Sequence, residues 1–105
     1  VSYDISIEAP PDKGFHSQLW ETNVTYNLAP MLKAAGLRFD DLDGMTGREA
    51  QPHVASALHW LLDHPAEART LAPENGWGTF DGLLACLAWF TAGCSAYPDG
   101  IVRVD

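Results

Sequence analysis

Apolar and polar residues alternate at the start of the chain, with Tyr3, Ile5 and Ile7 interleaved by Asp4, Ser6 and Glu8. A period of two predicts a strand with one wet face. Pro10-Pro11-Asp12-Lys13-Gly14 reads as a turn, and Phe15 to Glu21 as the returning strand of a hairpin. The rhythm then lengthens. Asn27 is a candidate N-cap, Pro30 falls in a first turn, and Leu28, Met31, Leu32 and Ala35 outline a short amphipathic helix closed by Gly36. Leu37 to Met45 is expected as a loop. Thr46-x-x-Glu49 has the form of a capping box, and Val54, Leu58, Leu61 and Leu62 give the helix behind it one apolar face. Pro52 predicts a kink or a restart in that helix. Pro65 opens a further helical turn through Leu71, which Ala72-Pro73-Glu74-Asn75-Gly76 breaks.

The most apolar segment runs from Glu74 to Tyr97. Thr79 is its candidate N-cap, Asp81 suits the positive end of the helix dipole, and Pro98 stops it. Phe80, Leu83, Leu84, Leu87, Phe90 and Cys94 follow a helix face, while Ala85, Ala88, Trp89 and Ala92 make the opposite side barely more polar. A helix apolar nearly all round belongs inside a domain, or against a partner as well as its own core. Ile101 to Val104 then reads as a third strand, placed beside the first because chain ends often meet. The expectation is a single α+β domain over residues 1–105. It has a small antiparallel three-stranded sheet in the order 2-1-3, three to four helices, and a central C-terminal helix.

The chain of 105 residues is long enough to bury a core without metal or disulfide. A net charge of −8 disfavours direct contact with nucleic acid, whose phosphates would repel it, and suits a basic protein partner or solubility alone. Cys86 and Cys94 are eight apart on one helix, roughly 12 Å by its rise, too far for a disulfide. Two unpaired thiols fit a reducing compartment, so the cytoplasm is the expected location. No apolar run is long enough to cross a membrane.

Asn75-Gly76-Trp77-Gly78 is the most unusual stretch. Its glycines permit backbone angles that other residues avoid, and a helix N-terminus follows. One reading is a ligand platform, with Trp77 stacking on a planar group while the amides of Gly78, Thr79 and Phe80 face an anion. The other is that Trp77 folds into the core and the glycines only shape the turn, and buried tryptophans favour it. Trp20, Asn23, Thr25, Tyr26 and Asn27 form a second polar-aromatic stretch, built of residue types that also cap helices and fix turns. If both stretches share a rim, they make an aromatic wall with a few polar groups, as small-molecule pockets have.

Metal and catalytic chemistry find little support. His53, His59, Asp63 and His64 lack the spacing of a zinc motif, and Asp40-Asp41-Asp43-Gly44 lacks that of a calcium loop. No nucleophile elbow, P-loop or dinucleotide fingerprint occurs, and both cysteines sit on an apolar helix that disfavours the thiolate. No cofactor or metal is expected.

Tyr3-Asp4-Ile5, Asn23-x-Thr25-x-Asn27, Leu42-Asp43-Gly44 and Asn75-Gly76-Trp77-Gly78 together resemble a group of small proteins of actinobacteria and their phages. The resemblance implies an architecture and a phage setting. It assigns no activity and no catalytic residues.

The leading expectation is a non-enzymatic acidic accessory module that binds a protein partner, in the manner of an inhibitor or immunity protein. The alternative is a binder of planar, anionic, nucleotide-like ligands using Asn75 to Thr79 with Trp20, Asn23, Tyr26 and Asn27. An enzyme ranks third. A homodimer through the second apolar face of the last helix is compatible with either binding role.

Overall fold

The computed structural model describes residues 2–10 and 17–105. The expected turn after Pro10 and the start of the returning strand fall mostly outside them. Ser2–Glu8 forms β1 and Gln18–Thr25 forms β2, paired antiparallel with Ile5 opposite Thr22 and Ile7 opposite Trp20. The register shifts between Ile7 and Glu8, where Leu19 is the extra residue of a bulge. Ile101–Val104 forms β3, antiparallel to the other side of β1, with Ile7 opposite Val102. The sheet order is therefore 2-1-3, as the sequence predicts. Tyr3, Ile5, Ile7, Trp20, Val24 and Val102 turn to the helices, while Asp4, Glu21 and Asn23 face solvent.

β2 runs further than the pattern suggests. Asn23 and Thr25 belong to the strand rather than to a loop, because Val24 carries the inward alternation one step beyond Trp20 and Thr22. Asn27 is not the cap of the next helix. The Thr25 hydroxyl accepts from the Asn27 amide and starts a 3₁₀ turn over Tyr26–Leu28, and α1 begins only at Ala29 and ends at Ala34. Gly36, at φ +81, reverses the chain behind α1. Its amide donates to Lys33 O and that of Leu37 to Leu32 O, the bond pattern of a Schellman turn.

The expected loop 37–45 contains a 3₁₀ turn, Phe39–Leu42, with Phe39 and Leu42 buried. Asp43 is no idle turn residue, since its carboxylate accepts from the Val104 amide at 2.9 Å. Gly44 N donates to Val102 O and Val102 N to Met45 O, so the outer edge of β3 is covered.

α2 spans Gly47–Asp63 and carries the full capping box: Thr46 accepts from the Glu49 amide, and Glu49 returns a bond to the Thr46 amide. These bonds hold the Glu49 carboxyl below its usual range. The helix neither breaks nor restarts at Pro52. Pro52 is exposed and forfeits only the bond to the Arg48 carbonyl, a loss that water can cover. α3, Pro65–Arg69, is the short turn that Pro65 opens.

α4 spans Phe80–Ala96, with Thr79 capping through the Gly82 amide at 2.9 Å. Leu83, Leu87 and Phe90 are fully buried, and Trp20 stacks on Phe90 at 5.1 Å. Gly93 makes room for that indole, because a Cβ there would lie 2.8 Å from the ring.

α2 and α4 pack together through a second glycine. A Cβ on Gly47 would collide with the backbone carbonyls of Tyr97 and Cys94. The same close approach lets Gly47 N donate to Gly100 O and Arg48 N to Pro98 O, both at 2.9 Å. Gly47→Ala is therefore expected to lower the unfolding free energy by about 2 kcal/mol or more, since backbone cannot yield as a side chain would. Chemical denaturation against wild type, with exposed Ser95→Ala as control, measures it.

Candidate functional site

Four places present candidate chemistry: the turn before α4, the outer side of α4 with the edge of β2, the wet face of the sheet, and a cleft beside α1.

The turn before α4 is held open by its two glycines, at φ +75 for Gly76 and +107 for Gly78. The Trp77 amide donates to the Asn75 side-chain oxygen at 2.9 Å, an Asx-turn that fixes the loop locally. Gly78 lies against Thr25 and Leu28, where a Cβ would come within 2.8 Å of the Leu28 side chain. The turn is thus fastened to the end of β2, and its indole points outward. Trp77 is 71 % exposed and has no ring partner among the described residues.

The sequence-predicted cluster divides. Within Asn75, Gly76, Trp77, Gly78 and Thr79 it is Gly78 that meets Thr25 and Leu28, the residues that bracket Tyr26 and Asn27 in the chain. Tyr26 is 42 % exposed and sets its ring edge-on to Tyr3 at 4.5 Å. Trp20 does not join them. It is buried at the other end of β2 between Phe90 and Trp89, with its indole N–H lacking a partner among the described residues. Asn23 does not join them either. Its side-chain amide donates to Ser2 Oγ and Asp4 Oδ1 on the wet face of the sheet. Alternation along β2 beyond the bulge at Leu19 explains both departures, since Trp20, Thr22 and Val24 turn to the core and Asn23 faces away.

The outer side of α4 is uncovered among the described residues. Ala85, Ala88 and Ala92 are exposed, Trp89 is 54 % exposed, and Asp81 is the helix's one charge. Beside it runs the edge of β2. Asp4 exchanges both backbone bonds with Asp105, which points its amide and carbonyl toward β3. Asp4 and Ser6 therefore face Asn23 and Glu21 as non-hydrogen-bonded pairs, and those two residues aim their own amides and carbonyls away from the sheet. Trp89 Nε1 donates to Glu21 O at 3.3 Å, the one bond into this edge among the described residues.

The cleft beside α1, about 650 Å³, is lined by Tyr3, Leu32, Lys33, Leu37, Arg38 and Phe39 among others. Sequence reasoning passed over Lys33 and Arg38. The available signal was two cations flanking an Ala-Ala-Gly helix end in a strongly acidic chain. On the wet sheet face a shallower hollow of about 570 Å³ gathers Asp4, Ser6, Glu21, Asn23 and Asp105.

Metal or nucleophilic chemistry finds no seat. No group of three His, Cys, Asp or Glu side chains among the described residues is placed to hold a metal. His64 stacks on Trp60 at 4.4 Å and contacts its carbonyl through Nδ1. Cys86 and Cys94 are free thiols. Burial raises both, Cys94 to about 11, and a Thr22 hydroxyl offsets part of the rise at Cys86. No helix among the described residues is long and apolar enough to cross a membrane. No protein family, curated protein or solved structure matches the chain.

Because Trp77 is presented rather than packed, Trp77→Ala should change stability by no more than about 0.5 kcal/mol. Gly78→Ala should cost about 1–3 kcal/mol, since its φ excludes a side chain. Thermal melts of the two variants separate a displayed indole from a structural one. The raised Cys94 thiol works on stability in the alkaline range. Its contribution is intact below the unfolded value near 9 and is lost as pH rises toward about 11. Cys94→Ala should lose less stability than wild type across that window, as melts at stepped pH would record.

Proposed function

We propose that the chain is a non-enzymatic protein-binding module that receives a basic partner along the outer side of α4 and the open edge of β2. The observation that carries this reading is the conjunction of the two surfaces. A helix with one charge in 17 residues lies exposed beside a strand edge whose amides and carbonyls are largely unpaired. Each feature alone is a liability in water, and natural sheets normally cover such an edge or set charges against its pairing. Here Trp89 guards one carbonyl and leaves the remainder for a partner to pair with.

Electrostatics select the partner's sign. No Lys or Arg occurs in residues 17–32 or 70–102, which include β2 and α4. Glu21, Glu74 and Asp81 are exposed around the same surface. A second copy of the chain would bring acid against acid, whereas a basic protein would meet complementary charge and associate faster. Trp77 and Trp89 supply the large, half-rigid apolar anchors that carry interface energy. The setting proposed with this reading is the cytoplasm, on the strength of the two free thiols, and a phage accessory role rests on the four short motifs alone.

The test immobilises the full chain and its Ala85→Arg and Ala92→Arg variants, which alter exposed positions only. At low salt the wild type is expected to retain a basic protein from a bacterial lysate. Both variants should lose it while melting like wild type, and retention should fade near 0.5 M salt, roughly the range where exposed charges are screened. Retention that ignores either variant, or no retention at low salt, overturns the reading. Light scattering of the free chain should give a monomer; a dimer abolished by Ala85→Arg would replace the basic partner with a second copy.

A further inference from the structure

The cations of this acidic chain are not all spent on its own carboxylates. Arg48 pairs with Asp99, Arg69 with Asp81 and Arg103 with Glu8. Lys33 and Arg38 pair with no carboxylate among the described residues, and both line the cleft beside α1. Asp40 lines it too without bonding either of them. With Asp40 counted, the charged side chains lining the cleft sum to one positive charge, in a chain whose net charge is −8.

The backbone fixes how they converge. Lys33 lies in the last turn of α1, and the Schellman turn through Gly36 sends the chain back so that Arg38 lies just before the Phe39–Leu42 turn. Between them Leu32, Leu37 and Phe39 are buried side chains that give the cleft an apolar floor. Tyr3 closes one flank, held by edge-on contacts with Tyr26 at 4.5 Å and Phe39 at 5.3 Å. The volume, about 650 Å³, falls within the roughly 300–1,000 Å³ of small-molecule sites.

We infer that this cleft is a binding site for a small amphipathic anion: an aromatic body against the Tyr3 ring and Pro30, above the buried Leu37 and Phe39, with a carboxylate or phosphate held by Lys33 and Arg38. The Arg38 guanidinium can meet either anion with two parallel N–H donors, and Lys33 adds a point charge. Apolar floor and cationic rim together select against neutral aromatics and against fully hydrated inorganic anions. The site is separate from the α4 surface and does not depend on the partner proposed there.

The experiment is a heteronuclear NMR titration of the full chain with naphthoate, naphthyl phosphate, the uncharged naphthamide and inorganic phosphate. Saturable shifts are expected at the amides of Lys33, Leu37, Arg38 and Phe39 with the two aryl anions, carboxylate and phosphate being told apart by relative affinity. Naphthamide and inorganic phosphate should each bind about tenfold more weakly or worse, and Lys33→Gln or Arg38→Gln should weaken the aryl anions about tenfold. Both side chains are exposed, so unchanged spectra elsewhere will show the variants folded. Equal binding of naphthamide, indifference to both variants, shifts centred on residues 75–78, or no saturable shift in the millimolar range would each overturn the inference.

Discussion

The structure hangs on the absence of a side chain at Gly47. There the N-terminus of α2 comes within bonding distance of the segment that closes α4, and Gly47 and Arg48 each donate an amide to a carbonyl of the Pro98–Gly100 turn. The bridge from Thr46 to Ile101 and the bonds between Gly44, Met45 and Val102 continue the same seam into β3. One stretch of backbone thus ties the helix pair to the sheet. Its geometry sets where α4 lies, and therefore which of α4's two apolar sides is buried. Backbone bonds made at such close approach tolerate little adjustment, because interiors are packed at crystal-like density.

From that seam the rest follows by exclusion. α4 turns Leu83, Leu87, Phe90 and Cys94 inward against α2 and the sheet, which leaves Ala85, Ala88, Trp89 and Ala92 exposed among the described residues. The alanines add little apolar area each, so exposure costs the monomer only modestly. Their small size also lets another backbone come near. Trp89 is not simply left outside, since it packs against Trp20 and reaches across to the Glu21 carbonyl. The edge strand is thereby partly protected, and among the described residues no other hydrogen bond reaches its open edge. β3, by contrast, is closed off by Gly44, Met45 and the Asp43 carboxylate. The two edges of one small sheet are treated oppositely, and this asymmetry directs attention to β2.

Periodicity carried most of the fold. The alternation of Tyr3, Ile5 and Ile7, the capping signals at Thr46 and Thr79, and the apolar face of residues 80–94 each specify an element by local physics, and all appear. Proline and asparagine misled in instructive ways. Pro52 lies inside a helix whose neighbours supply sixteen further residues of structure, so one forfeited bond does not break it. Asn27 looked like a cap because its residue type fits, yet Thr25, two residues earlier, offers its hydroxyl to that very amide. The exposure of Trp77 was not legible. Whether an indole folds inward depends on what fills the space beside the turn, and Leu28 and Thr25 fill it from another part of the chain. The same limit applies to Lys33 and Arg38, whose significance lies in carboxylates that elsewhere chose other cations.

Acidity and a cationic cleft are not in conflict. With fourteen acids against six bases, the chain's long-range field repels anions. A cleft that still accepts one must win at short range, where an apolar floor thins the intervening water and strengthens the local pair. That requirement explains why the ligand must be amphipathic. A phosphate alone would gain the two cations but keep its hydration and meet the net charge, whereas an aryl anion would add burial of its ring against Tyr3 and Pro30. On the α4 side the same long-range field would act in the opposite sense and favour the proposed basic partner, since the nearby cation Arg69 is paired with Asp81. On the two proposals, one charge distribution would sort two kinds of visitor to separate surfaces, with bulk charge governing the large partner and local desolvation the small one.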